Sequence, residues 1–431
     1  MFDVFKNAWK VEDIREKLLY TLLIIVIFRL GAAIPVPFLD NSALSAMFGA
    51  NSGNLLGYLN MLTGGALSMA TVFALSISPY ITSSIVIQLL TVAIPALEKM
   101  AQEGPEGRKK INKITRFSTV GLAVIQAYAY YVTLKGYNAV ATFDNTWENV
   151  LVVATILCVF TAGSMLVMWL GERIDDKGIG NGISMILFAG IVSGGPNLVT
   201  TLWSYLTLGE VKYYFFVPAL IVIFVLLIAF IVLMNQAERR IPVQYAKRVV
   251  GRKQYGGQSS HIPVKVTMAG VLPIIFAGAL LAIPSTIEAF AKPAEGTFWY
   301  GFFRMFDQNS WVFAVLYFVL IVAFSYFYIA IQYNPVEMAN NLQKNNGAIP
   351  GIRPGKPTSD FISRIIGKIT FIGAMFLGVI ALLPTIIGAV SGIQGVTIGG
   401  TTIIIVVSVA LETARSLESQ MMMRHYKGFL E

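Results

Sequence analysis

Few side chains in this sequence could do chemistry, and none of them stands in company that would support catalysis. The two histidines, His261 and His425, are far apart and have no partner cysteines, so no metal-ligating set is expected. No Walker A loop, HExxH pair or nucleophile elbow occurs. The single cysteine, Cys158, lies in an apolar run, where a buried, inert thiol is the expectation. What remains are polar groups set inside apolar stretches. FALSISPYITSSIVIQLL (73–90) carries Ser76, Ser78, Thr82, Ser83, Ser84 and Gln88, with Pro79 in its middle. A helix facing lipid has no use for so many hydrogen-bonding side chains, so this stretch is expected to face protein or a cavity. Arg29, in IVIFRLGAAIPVP, has two readings: a contact for an ion or substrate, or a structural role on helix-end carbonyls of neighbouring spans. The structural one is favoured.

The elements that must position these groups are membrane spans. Of the 431 residues, 56% are hydrophobic and only 13% charged, the composition of an integral membrane protein. The N-terminus mixes acids and bases and has no small-residue cleavage site, so the first hydrophobic segment is expected to be retained. Ten apolar stretches are long enough to span: 18–38, 71–95, 112–134, 149–170, 180–202, 213–235, 266–291, 311–332, 364–388 and 400–418. Lys and Arg concentrate in alternate connections. The loop after the second stretch holds Arg108, Lys109, Lys110, Lys113 and Arg116, while residues 39–54 hold none. By the positive-inside rule both termini are cytoplasmic, and most of the +9 net charge lies on that side.

Two of the basic connections, 236–265 and 333–363, are long and also carry aromatics and prolines. They are expected to form an ordered surface for an anionic partner such as RNA, lipid headgroups or an acidic protein. Glu238, Glu288 and Glu412 fall near span ends and no Asp lies well inside one, which counts against a proton- or sodium-coupled transporter. No selectivity-filter motif is present, and an enzyme is not expected. Residues 54–70, broken by Gly57, Gly64 and Gly65, are too short to span. They read as a short helix and flexible joint leading in from outside, or as an interfacial helix on the outer surface. On the residues alone, a secondary transporter of a small solute stays open as the alternative to a channel.

Two stretches resemble signatures of the SecY family of protein-conducting channels: FALSISPYITSSIVIQLL (73–90) and WLGERIDDKGIGNGISMILFAG (169–190). FRLGAAIPVP, EGPEGRKKI, VTMAGVLPIIFA, PGIRPGKPT and GGTTIIIVV are similar to the same family, in order along the whole chain. The resemblance implies an all-α polytopic membrane protein of ten transmembrane helices in two inverted, pseudo-symmetric five-helix halves, 1–202 and 203–431, hinged like a clamshell. It implies an hourglass channel for unfolded preproteins, with a waist of Ile77, Ile81, Ile183, Leu187, Ile275 and Ile405. Ile77/Ile81 and Ile183/Leu187 are i, i+4 pairs, so each would project from one helix face.

Segment 54–70 resembles the family's plug, with Leu55, Leu56, Tyr58, Leu59, Met61, Leu62, Gly64 and Gly65 as its residues. A lateral gate is implied where spans two and seven meet, with Ser83, Ser84, Gln88, Gln126 and Ile283 as candidates. Arg239, Arg240, Lys247, Arg248, Arg252, Lys253 and Arg353 match positions that dock the SecA motor ATPase or the ribosome and its RNA. The other implied partners are SecE, SecG, signal sequences and the lipid bilayer; no cofactor is implied. The sequence departs from the family pattern at Ser76, usually glycine, at Asp175, usually a smaller polar residue, and at Leu187, often isoleucine.

Overall fold

The computed structural model describes residues 8–40, 43–44, 60, 63–207, 211–245, 248–250, 253–255, 259–291, 296–306, 310–391 and 400–427. The helices of the first part are α1 (Glu12–Gly31), α2 (Ser78–Ala93), α3 (Pro95–Gln102), α4 (Pro105–Gly136), α5 (Thr146–Lys177), α6 (Gly182–Ser193) and α7 (Gly195–Thr207). Then come α8 (Val211–Gln236), strands β1 (Glu238–Tyr245), β2 (Arg248–Val250), β3 (Lys253–Tyr255) and β4 (Ser259–Lys265), and α9 (Leu272–Ala291). The chain ends through α10 (Phe298–Arg304), α11 (Trp311–Gln332), α12 (Pro335–Lys344), β5 (Gly347–Ala348), α13 (Lys356–Ser391) and α14 (Gly400–Lys427). Six helical stretches among the described residues are long and apolar enough to cross a membrane, or seven if the bent pair α2–α3 counts as one span. Of the remaining expected spans, α1 and α14 carry more charge, and the apolar run of α9 is shorter.

The second expected span, 71–95, differs most from expectation. Its helix begins only at Ser78, with Pro79 in the first turn, where a missing N–H costs nothing. Ile94, just before Pro95, is extended, and the axis turns by 105° into α3. Residues 63–77 cross the protein as a chain of turns. Such backbone survives inside a membrane protein only if its polar groups find partners. They do: the Val36 N–H donates to the Ala70 carbonyl (3.1 Å) and the Val72 N–H to the Ile34 carbonyl (3.0 Å), around a bridge between Pro35 and Thr71. The buried Tyr130 hydroxyl of α4 donates to the Leu67 carbonyl at 2.6 Å. A Cβ at Gly163 of α5 would collide with the Val72 carbonyl, so the turns press directly on helix backbone there.

The architecture is mostly helical, and to the expected helices the connection 236–265 adds a β-ribbon. β1 and β4 pair antiparallel from Glu238↔Lys265 to Gln244↔Ser259, and β2 pairs with β3. β5, from the other long connection, adds to the free edge of β1 through Gln244↔Ala348 and Tyr245↔Gly347. The cause is a period-two pattern: Ile241 and Val243 are buried beneath exposed Arg240, Pro242 and Gln244. With Val264, Leu342, Ile349 and Ile362 they form one apolar core, so the two long connections are a single folded unit. Cys158 also departs from expectation: it is exposed on the apolar outer face of α5.

Ser76 is buried at φ 48°, in the left-handed region that a serine occupies at a cost. Replacing it with glycine, the usual family residue, is expected to stabilise the protein by about 0.5–1 kcal/mol, and Ser76→Val to destabilise it by at least about 1 kcal/mol. Thermal unfolding of the detergent-solubilised protein measures both.

Candidate functional site

Four helix starts converge at the centre of the molecule. Ile77 caps α2, and the Ile81 N–H donates to its carbonyl at 3.1 Å, which keeps the two side chains one turn apart. Ile183 and Leu187 lie in the first turns of α6, Ile275 in the first turn of α9 and Ile405 near the start of α14. All six belong to one apolar cluster, with Ile77, Leu187 and Ile405 buried and the other three packed against them. Phe28, Phe73, Leu170 and Ile174 belong to the same cluster. Such a cluster makes no hydrogen bonds to a passing chain and disfavours water and ions.

Caps and side-chain bonds hold these helix starts in place. The Asp175 carboxylate accepts from the Gly182 N–H (2.7 Å) and Asn181 accepts from the Ser184 N–H (3.0 Å), so the departure at Asp175 serves as a helix cap for α6. Asn235, at the end of α8, accepts from Thr267 (2.8 Å) and donates to Ser408 (3.0 Å), while Arg415 donates to its carbonyl at 2.9 Å. That network, which sequence reading missed, ties the turn before α9 to α14. No periodicity announces it, because its members lie far apart in the chain.

Of the plug candidates, Leu55, Leu56, Tyr58, Leu59, Met61 and Leu62 lie outside the described residues. Gly64 and Gly65 are both left-handed, at φ 66° and 87°. Thr63, Ala66, Leu67 and Ala70 are buried, and Ala66 belongs to the central cluster, so this part packs into the protein rather than on its surface. The position of a Cβ at Gly64 is already occupied: the Ser193 hydroxyl, the Gly190 carbonyl (2.5 Å) and Arg29 Nη1 (2.7 Å) all converge there.

α9 packs against α4 and α2, forming a seam between the first and second parts of the chain. Ser83, 0% exposed, donates instead to the Thr115 carbonyl of α4 at 2.9 Å, inside its own half. Ser84, Gln88 and Gln126 are half-buried and Ile283 is 49% exposed. On the ribbon, Arg239 and Arg240 are exposed. Arg240 bonds Glu238 at 2.7 Å and holds that carboxyl below its ordinary range. Arg248 and Lys253 belong to the short β2–β3 hairpin, whereas Lys247 and Arg252 lie outside the described residues. Arg353 is exposed on the turn between Gly351 and Gly355, its carbonyl accepting from the Thr358 hydroxyl at 2.8 Å.

The central apolar cluster draws on helices from both parts of a polytopic membrane protein. The SecY family profile matches residues 71–414. The protein translocase subunit SecY of Streptomyces coelicolor is 43% identical over 439 residues, covering 100% of each chain. A solved protein conducting channel has a TM-score of 0.67 at 19% identity, covering 94% of this chain and 92% of its own. Sec61 in the canine ribosome-channel complex from the endoplasmic reticulum scores 0.64 at 18% identity over the same shares; at these identities the likeness is one of fold. The chain belongs to the SecY family. It is a channel subunit and not an enzyme, and the solute-transporter alternative has no support.

In a Cys158→Ser background, a cysteine replacing Ala66 reports on the glycine joint. Gly64→Ala, which meets a backbone carbonyl, is expected to speed its labelling by an aqueous thiol reagent about tenfold, the effect of roughly 1.4 kcal/mol. Gly65→Ala has nothing within 4 Å and adds only the strain of its left-handed backbone. It is expected to speed labelling less than Gly64→Ala, which adds the same strain and a clash.

Proposed function

We propose that this chain passes unfolded preproteins through the central apolar cluster and releases hydrophobic segments sideways into the bilayer at the α2–α9 seam. The observation that carries this is the gathering of Ile77, Ile81, Ile183, Leu187, Ile275 and Ile405, from four separate helices, into one apolar cluster. These six would be the gasket, and 54–70 the plug that covers it when no chain is passing. Ser84, Gln88, Gln126 and Ile283 would form the gate, with Ser83 bracing α2 from behind. Family membership and the basic alternation together favour ten spans in two inverted halves, 1–202 and 203–431, with both termini in the cytoplasm of a bacterium.

The single folded unit of β-ribbon and second loop would dock the partner that drives transport. Its exposed arginines suit ribosomal RNA or the SecA motor. The fold likeness to Sec61 from a ribosome-channel complex supports the ribosome as a partner. SecE and SecG would complete the membrane complex. The site is the plasma membrane, and the energy comes from the partner.

Reconstitution of the purified membrane complex in proteoliposomes tests this. Preprotein should be protected from protease only when SecA and ATP are supplied, and Arg353→Glu should abolish that protection with membrane insertion unchanged. Gln88→Leu is expected to relax the signal-sequence requirement by about threefold to thirtyfold, following the roughly 0.6–2 kcal/mol of one interhelical hydrogen bond. Normal SecA-driven export by Arg353→Glu would refute the docking assignment, and a stricter signal requirement in Gln88→Leu would refute the gate.

A further inference from the structure

The connection between α9 and α11 contains FWYGFFRMF (298–306), in which six of nine residues are aromatic. Phe298–Arg304 form α10, far too short to cross a membrane. Most of its aromatic face is nonetheless exposed. Phe298 is 79% exposed, and Trp299, Phe302 and Met305 are exposed with it, while Phe303 is buried. At 100° per residue, Phe298, Phe302 and Met305 share one stripe, with Trp299 and Phe303 beside it. Tyr300, Gly301 and Arg304 occupy the opposite arc. The rings form one connected ladder: Trp299 lies 6.0 Å from Phe302 and 6.2 Å from Phe303, and Phe302 lies 5.3 Å from Phe306. A contiguous apolar stripe of this kind marks an interaction surface.

The packing fixes the level at which α10 sits. Phe306 packs against the same apolar core as Phe313 and Leu316, in the first turns of α11. α11 is among the helices long and apolar enough to span, and Trp311, its first residue, is 81% exposed. The bilayer surface passes close to Trp311, because a span begins where hydrocarbon begins and tryptophan collects at that boundary. Residues 305–310 separate α10 from α11, and Phe306 reaches the core beside that first turn. α10 therefore lies at the boundary rather than out in water. Arg304, exposed on the opposite arc, has the length to keep its charge in water while its stem lies along apolar surface.

We propose that the Phe298, Trp299, Phe302 and Met305 face of α10 is a lipid-contact surface, lying in the outer leaflet at the boundary of headgroups and acyl chains. The proposal rests on the ten-span reading, which puts the connection 292–310, with Lys292 and Arg304 as its two bases, outside the cell. A protein partner would also be met by aromatic anchors. Lipid is favoured because the adjoining start of α11 is exposed along Trp311, Val312 and Val315, a face that a span turns to hydrocarbon. α10 also packs on α9, so its immersion ties the seam helix to the bilayer surface at one end.

Spin labels read the depth. In the Cys158→Ser background, a nitroxide is attached to Phe298→Cys and, separately, to Arg304→Cys, in the purified membrane complex reconstituted in vesicles of phosphatidylcholine and phosphatidylglycerol. Both positions are exposed, so neither label disturbs the core. Collision rates with oxygen and with a water-soluble nickel chelate should place the label at 298 about 5–10 Å below the phosphates, and the label at 304 at or above them. Equal depths for the two labels, or both in water, overturn the proposal and leave the channel reading standing. Shielding of the label at 298 from oxygen and nickel alike also overturns it, because a protein then covers the face. Sidedness is read separately, with a membrane-impermeant maleimide on protoplasts. Arg304→Cys should react with the membrane intact. Reaction only after the membrane is breached overturns the ten-span orientation, and with it the outer-leaflet assignment, whatever the depth.

Discussion

Everything in this structure answers to the need of each buried backbone N–H and C=O for a partner where water cannot supply one. Helices meet it internally, which is why most of the chain is helical. Residues 63–77 cannot, and the protein surrounds them with substitutes. Ile34 and Val36 offer a strand edge, Asn60 and Thr63 accept from the Ser68 and Leu67 N–H groups, and Tyr130 reaches in from α4. These bonds hold a non-helical segment against the central cluster while leaving it separable. Each is worth about 1 kcal/mol net, so the segment is held by a modest sum rather than a continuous helix.

The two parts of the chain meet along α6 and α14 and again where α9 reaches α4 and α2. α6 packs along α14, and the Thr413 hydroxyl lies 3.4 Å from the Met185 sulfur. Lys17 donates to Gln420 at 3.2 Å, and Ile14, Ile179 and Leu417 share a small core. At the other side α9 meets α4 and α2, and Ile283 there is half open.

Six or seven of the ten expected spans were legible because apolar runs are local signals. The six waist candidates came from the family signatures and not from their own i, i+4 spacing. The helix start at Ser78 was not read from the sequence, because the apolar residues 71–77 continue the run past the signal that Pro79 gives. The ribbon carried a period-two signal in RRIPVQY and HIPVK. Its prolines argued against strands, and both are tolerated because the ribbon is narrow. Ser83 illustrates the limit. Its type marked it as a hydrogen-bonding group at a seam, but only the packing of α4 decides which neighbour receives the bond. The Asn235 network is likewise a fact of three-dimensional assembly.

The central claim, that six side chains from four helices form the waist through which a polypeptide passes, can be measured directly. A photo-cross-linking residue is placed in turn at each of the six positions, and at Ile372 of α13, which is 55% exposed on the outer face, while a preprotein is arrested in transit. The account predicts that all six positions cross-link to the arrested chain and that Ile372 does not. Cross-links at Ile372 with none from the six would contradict it.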